Sequence, residues 1–458
     1  MAAAVTGVIA LTGLVAPPAA AAGGTTCTVN GRAQTTTAAK PVIQGNATGQ
    51  NTIVCPNGVK AGDTVQGGSK AANTLTMRGT VYGTVRSGGI TATITVTTNT
   101  TAAPGVAKGG RVDVTAPKGT VRVTGGPARD AHLAEAGPGN AGTVTGGTGS
   151  VAITLTGGSG EGKGEGGTGN TGGVTGAASG SVSVIGGDDR NAYGSGGAGT
   201  GNTGTVNGGS GSASVSATGG TTVLRDGGPV PGDGNGNGGA IQGSTTGTVT
   251  VRGGNTTALA YVDGGVGNRG TVRGGSRSGE IKVTGGTGVG DGGDGNTGEI
   301  IAGPSGGGAR RITVQGGPSL QIDGGTANLG KITATHPAGT ALTVTGGNGR
   351  DSGGTGNGPN PGDRARITGG PGPDTIRVTG GTAPDNAIGT SRGGEGNVYG
   401  IITGGAGNDT ITVTAGTPRS SDTSGSRGGS VDGQTGTNTC RFIPGRHDTT
   451  VTSCRIVT

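Results

Sequence analysis

A short run of alternating branched residues closed by Gly-Gly recurs along the chain, and this self-similarity constrains the fold more than any other feature. It reads Thr-Val-Arg-Val-Thr-Gly-Gly from Thr120, Ser-Val-Ser-Val-Ile-Gly-Gly from Ser181, Thr-Val-Thr-Val-Arg-Gly-Gly from Thr248, Glu-Ile-Lys-Val-Thr-Gly-Gly from Glu280, Ile-Thr-Val-Gln-Gly-Gly from Ile312 and Leu-Thr-Val-Thr-Gly-Gly from Leu342. Repeats begin near residues 119, 149, 180, 211, 247, 279, 310 and 341, a period of about 31. Val and Ile at period two make a strand with one face turned inward. A single repeat cannot bury that face, whereas stacked repeats share one core. Each repeat holds a second apolar segment, marked by Val144, Val174, Val206, Ile241, Val272, Ile300 and Ile332. A Gly-Asn-x-Gly turn precedes it, at Asn140, Asn170, Asn202, Asn237, Asn268 and Asn296, with Ala for the first Gly at Asn328. Gly-Gly and Gly-Asn are the pairs that supply positive-φ turns. Two roles are open to the asparagines: left-handed turn residues, or a stacked amide ladder running from coil to coil.

Composition narrows the classes. Of 458 residues 116 are glycine, the hydrophobic share is 28% and the aromatic share 1%. The large side chains of an ordinary α/β enzyme core are missing. Long helices are disfavoured, because each interior Gly costs about 1 kcal/mol relative to Ala. The glycines do not fall at every third residue, which excludes collagen. Composition leaves either a disordered Gly-rich chain or a β-solenoid of many short strands, and with the repeat the expected fold is all-β: a Gly-rich parallel β-solenoid (a β-helix or β-roll) with disulfide-capped ends and long flexible Gly-rich loops. The net charge is +7, but charged residues are only 12% of the chain and the longest basic run is Arg310–Arg311. Nucleic-acid binding wants a dense basic patch with stacking aromatics, so no nucleic-acid partner is expected. Gly-x-Gly-x-x-Gly occurs by composition alone. His132, His336 and His447 are scattered in polar text, and no catalytic constellation stands out, so the chain does not read as an enzyme.

Residues 1–22 carry no charge; an apolar stretch is followed by Pro17–Pro18 and Ala19–Ala22. This is the middle and end of a secretory signal peptide, without the usual basic start. No other span is long and apolar enough to cross a bilayer, so the expected location is extracellular with no membrane span after signal removal. Cys27 and Cys55 near the start, and Cys440 and Cys454 near the end, read as two sequence-local disulfides in an exported chain. The organisation is then a signal peptide at 1–22, an N-terminal cap with degenerate repeats at 23–118, the 31-residue repeats at 119–366 and a different C-terminal repeat region at 367–458.

Two C-terminal segments follow the nonapeptide Gly-Gly-x-Gly-x-Asp-x-U-x, where U is a large apolar residue. One runs through Gly369, Gly370, Gly372 and Asp374 to Ile376; the other through Gly404, Gly405, Gly407 and Asp409 to Ile411. Asn replaces Asp in degenerate copies at Asn51, Asn73 and Asn438, and the text from His447 to Cys454 resembles one further coil. These segments resemble the RTX, or haemolysin-type, calcium-binding repeats, in the degenerate secreted form found in high-GC Gram-positive bacteria. The resemblance implies that the glycine-rich turns and the aspartates bind Ca²⁺ through carbonyl and carboxylate oxygens. It makes Asp374 and Asp409 the expected ligands, with Asp385 a third. The two matches lie 35 residues apart, which would accommodate two coils of about 18 with an irregular one between.

A carboxylate also precedes many of the Gly-Asn turns: Glu135, Glu165, Asp226, Asp263, Asp291 and Asp323. Stacked at strand spacing, neighbours would repel by about 3 kcal/mol at an effective dielectric of 20. Either these loops splay into solvent or a cation sits between them. The leading expectation is a secreted calcium-binding β-solenoid acting as a structural cell-surface or matrix component. The alternative is an ion-independent structural or adhesive repeat protein. An ice-binding solenoid is a third possibility, suggested by Thr93–Thr95 and Thr343–Thr345 but interrupted by Arg and Lys at the equivalent positions of other coils.

Overall fold

The computed structural model describes residues 24–457, apart from 130–134, 163, 193–196, 225–233, 258–261, 278, 305–306, 359–364, 385–391, 418–424 and 445–447. Among the described residues all regular structure is β. The strands stack into a parallel solenoid with one sheet of 17 strands and a second of 15. One coil illustrates the path. Ser150–Thr156 lies in the larger sheet, and the chain leaves through Gly157 and Gly158 into a lateral loop whose outgoing limb holds Gly160–Glu161. It returns through Glu165 and Gly167, turns the corner at Asn170, and adds Gly173–Thr175 to the smaller sheet. It then re-enters the larger sheet at Ser179–Ile185.

Register follows the repeat. Val121 pairs with Ile153 and Ile153 with Val182 in the larger sheet. In the smaller one Val144, Val174, Val206, Ile241, Val272, Ile300 and Ile332 form a single column. Strand alternation turns both aliphatic rows inward, where Val121, Val144, Ile153 and Leu155 are completely or almost completely buried. The two rows face each other as a thin aliphatic core, in which Phe442 is the one aromatic among the described core residues. The same two sheets run unbroken past residues 118 and 367. The segments matching the RTX pattern are adjacent coils: Ile376 pairs with Ile411 and Val378 with Val413. The 35-residue spacing is thus one coil with a long lateral loop, not two short coils.

The glycines differ from the sequence expectation. Positive φ is needed at certain turns, such as Asn30 (49°) and Gly31 (82°), where the N-terminal hairpin reverses. The Gly-Gly pairs that close the larger-sheet strands, from Gly125–Gly126 to Gly380–Gly381, lie outside the left-handed region. They are required by close approach. Outgoing and returning limbs of the lateral loops interlock through their peptides: Gly158 donates to the Gly137 carbonyl, Gly167 to Gly158, Gly187 to Gly167 and Gly199 to Gly187, at 2.7–2.8 Å. This zipper runs from Gly126 to Gly220 and again from Gly234 to Gly416. A Cβ at Gly187 would collide with the Gly158 carbonyl oxygen. The third wall of the solenoid is therefore made of backbone, which only a residue without a side chain allows.

The asparagines form the amide ladder and adopt no left-handed conformation. Nδ2 of Asn140 donates to Oδ1 of Asn170 at 2.8 Å, and the same 2.8 Å link repeats through Asn202, Asn237, Asn268, Asn296, Asn328, Asn357 and Asn397. The column ends on Ser426, which accepts from Asn397 at 3.1 Å. Before Asn140 the same corner is held by Val59, Val81 and Val106.

The two ends are stapled. Thr26–Val29 and Arg32–Thr35 form an antiparallel hairpin, and the first of these strands also pairs antiparallel with Thr48–Cys55, covering the first edge of the larger sheet. Cys27–Cys55 bonds this cap to the first coil, and Cys440–Cys454 bonds the last two passes. The text after His447 does add a coil: Thr450–Thr452 stacks on Ser430–Asp432, and Arg455–Val457 on Thr439–Ile443. Among the described residues no helix is long and apolar enough to cross a membrane. The apolar leader at 1–22 and His132 and His447 lie outside the described residues.

Candidate functional site

The residues matching the RTX pattern stand where the chain enters the larger sheet. Asp374 and Asp409 immediately precede Thr375–Thr379 and Thr410–Thr414, and both side chains are buried, at 2% and 1% exposure. Oδ1 of Asp374 accepts the Thr340 amide of the preceding coil at 2.5 Å, and Oδ2 accepts the Gly370 amide of its own turn. Oδ1 of Asp409 accepts the Asp374 amide at 2.8 Å, and Oδ1 of Asn438 accepts the Asp409 amide at 2.8 Å. The result is a column in which each side chain caps the backbone of the coil below. At the N-terminal end Asn51 and Asn73 do the same for their own turns, accepting the Asn46 and Gly68 amides at 2.8 Å.

The motif glycines accommodate these caps. A Cβ at Gly404 would lie 2.5 Å from Oδ2 of Asp409, and one at Gly369 would lie 2.7 Å from Oδ2 of Asp374. Gly405 and Gly407 have φ of 101° and 118°, whereas Gly370 and Gly372 lie outside the left-handed region. The two matching turns therefore differ in backbone conformation. Burial pushes the Asp374 carboxyl up to about 6; the Gly370 and Thr340 amides oppose the shift and the Asp409 charge adds to it. Burial also raises Asp409, against the pull of the Asp374 amide.

Calcium takes six to eight oxygens at about 2.3–2.6 Å. The donor set here does not suit it. Both Asp374 oxygens and one Asp409 oxygen are engaged by amide N–H groups, and the Gly370 carbonyl accepts the Ala406 amide at 3.0 Å. Among the described atoms of this column, Oδ2 of Asp409 and Oγ1 of Thr340 are buried with no hydrogen-bond partner. Among the described residues no group of three His, Cys, Asp or Glu side chains could hold a metal ion. Asp385 lies outside the described residues.

The carboxylates of the lateral loops fall into two clusters. Asp263, Asp291 and Asp323 are exposed and linked in series: Oδ1 of Asp263 accepts the Asp291 amide at 2.8 Å, and Oδ1 of Asp291 accepts the Asp323 amide at 3.3 Å. The Asp263 and Asp291 charges each face a peptide of the next coil. With Asp294, whose burial pushes it up to about 6, Asp291 and Asp323 line an open polar depression of about 280 Å³. The other cluster holds Glu135 and Glu165, paired across adjacent coils, and Asp189 on the outgoing limb of the following loop. Asp189 is completely buried, and neither oxygen has a hydrogen-bond partner among the described residues. Burial, and then the Glu165 charge, push it up to about 7. Asp226 lies outside the described residues.

Three functional positions escaped the sequence reading. Asn357 and Asn397 carry the Gly-Asn signal, Asn357 in the last 31-residue repeat and Asn397 beyond it. Asp189 sits in the polar text Asp188-Asp189-Arg190, which looks like a loop tip and gives no sign of burial. No family model, curated protein or solved structure matches the chain.

Proposed function

We propose that the chain is an exported, ion-independent structural solenoid: a rigid spacer at a cell surface or in a matrix, without enzymatic activity. The observation that carries this reading is the Thr340–Asp374–Asp409–Asn438 column, in which three of the four carboxylate oxygens accept the protein's own amides. Asn438 performs the same capping without a charge, so the chemistry of that position is structural. Fifteen strands at about 4.8 Å give a rod about 70 Å long. Its outward rows are rich in hydroxyls, with Thr74, Thr93 and Thr120 in one row and Thr343 and Thr345 on a later strand. Two disulfides suit an oxidising exterior. One observation favours the second reading, a calcium-binding solenoid: the buried, unpartnered Oδ2 of Asp409 beside Asp374.

Titration of the oxidised protein with CaCl₂ by calorimetry, with thermal unfolding in Ca²⁺ and in EDTA, separates the two. The expected result is no binding heat and one unfolding midpoint in both buffers. A midpoint several degrees higher in Ca²⁺, lost in the Asp374→Asn/Asp409→Asn double variant, would establish the calcium reading instead.

A further inference from the structure

The lateral loops place one inward-facing position per coil in a column: Ala128, Gly160, Asp189, Thr222 and Thr256. The hydroxyls in it serve peptides of the returning limbs. Oγ1 of Thr222 accepts the Ala198 amide at 3.2 Å, and Oγ1 of Thr256 accepts the Val289 amide at 3.2 Å while donating to the Val262 carbonyl at 3.1 Å. Asp189 finds no such partner among the described residues. The amide that corresponds to Ala198 one coil earlier is Gly166, and it already donates to the Gly197 carbonyl at 2.9 Å. A fully buried carboxyl is left with two unpartnered oxygens inside a wall of glycine peptides.

The charges around it give no relief. Glu165 faces it from the returning limb, and Glu135 stacks on Glu165 from the coil before. On its own strand Asp188 and Arg190 pair with each other at 3.7 Å on the outside, and Arg190 is in register with the exposed Glu161. The next coil offers Thr222 and Val223, both uncharged. Lys163 lies outside the described residues. A buried ion with neither a countercharge nor a hydrogen bond is far more costly than its neutral acid.

We propose that Asp189 is a built-in proton sensor: its side chain is carried as the neutral acid, and its ionisation opens the interlocked lateral limbs at residues 157–162, 164–167, 186–192 and 197–199. The direction follows from linkage. The folded loop holds the proton more tightly than the open chain does, so the closed state is favoured in acid and lost as pH rises from about 4 through about 7. The opening equilibrium should grow on the order of fifty-fold between pH 5 and pH 7 and level off above about pH 8.

Hydrogen exchange on the full-length oxidised protein, corrected for the intrinsic pH dependence of exchange, measures this opening. Peptides covering these limbs should lose protection with rising pH, while the Asn237–Asn296 corner should not. Asp189→Asn should flatten the profile. Asp189→Thr, which installs the residue of the next two coils, should flatten it as well and guards against a misfolded first variant. Glu165→Gln should keep the transition but move it to lower pH, a shift that loss of packing alone would not produce. Equal protection in wild type and both Asp189 variants at every pH would overturn the proposal. So would recovery of wild-type protection at pH 8 on adding Mg²⁺, Ca²⁺ or K⁺, since a cation rather than a proton would then neutralise the site.

Discussion

At the scale of single residues, Asp and Asn share one task here with different consequences. Asn438 accepts an amide and also donates to the Gln434 and Ser453 carbonyls at 3.5 and 3.2 Å. Asp409 accepts the same kind of amide but leaves its second oxygen buried and unpartnered. Asp409→Asn should therefore raise stability by about 1–3 kcal/mol at pH 7–8. Because the folded carboxyl is raised above its ordinary value, the penalty is absent below about pH 4 and grows as pH rises. Thermal unfolding of the variant and the wild type at pH 3.5 and pH 8 checks both halves. Asp374→Asn should lack this gain, since both Asp374 oxygens accept amides and an Asn can replace only one of them. This position was legible as special from the nonapeptide spacing. Whether its oxygens face an ion or a peptide depends on the turn geometry of two successive coils, which no local text encodes.

At the scale of the elements, the glycines divide by what lies beside them. Gly187 is in the zipper, against the Gly158 carbonyl; Gly173 is on the outer row of the smaller sheet, where a Cβ would have Thr205 Oγ1 as its nearest neighbour at 3.7 Å. Gly187→Ala should cost at least about 2 kcal/mol, because neighbouring peptides must separate. Gly173→Ala should be neutral or stabilising by about 0.4–1 kcal/mol through the unfolded chain. Urea unfolding of the two variants checks the contrast, and equal effects would argue against a peptide zipper. The strands themselves were plain in the sequence, since period-two Val and Ile mark an inward face wherever they occur. The zipper was hidden: Gly-Gly reads as a turn by default, and only the approach of a second limb from 7–27 residues away shows that the missing side chain makes room for peptide packing.

At the scale of the whole molecule, each coil touches its neighbours and nothing else, so stability is a sum of coil and interface contributions and loss begins at the ends. The antiparallel cap covers the first edge, while the last edge strand, Arg455–Val457, leaves Ile456 and Val457 exposed. The 14-residue Cys440–Cys454 span and the 28-residue Cys27–Cys55 span should each be worth about 3 kcal/mol. Reduction should therefore fray the terminal coils and spare the centre. Hydrogen exchange with and without a reductant should show protection lost before about residue 80 and after about residue 400, with the Asn ladder between unchanged.

Period and spacing alone are enough to show that the chain stacks strands of about 31-residue period into an all-β solenoid, that four cysteines pair locally at its two ends, and that asparagine recurs at one corner. These follow from period and spacing, which are local properties of the text. It took the stacking of the coils to show that the asparagines bond to one another, that Gly-Gly builds a wall instead of a turn, that the two RTX-like turns cap peptides in adjacent coils, and that Asp189 is buried without a partner among the described residues. Each of those outcomes depends on which groups of neighbouring coils meet across a few ångströms, and that distance is set by the stacking rather than by any single repeat.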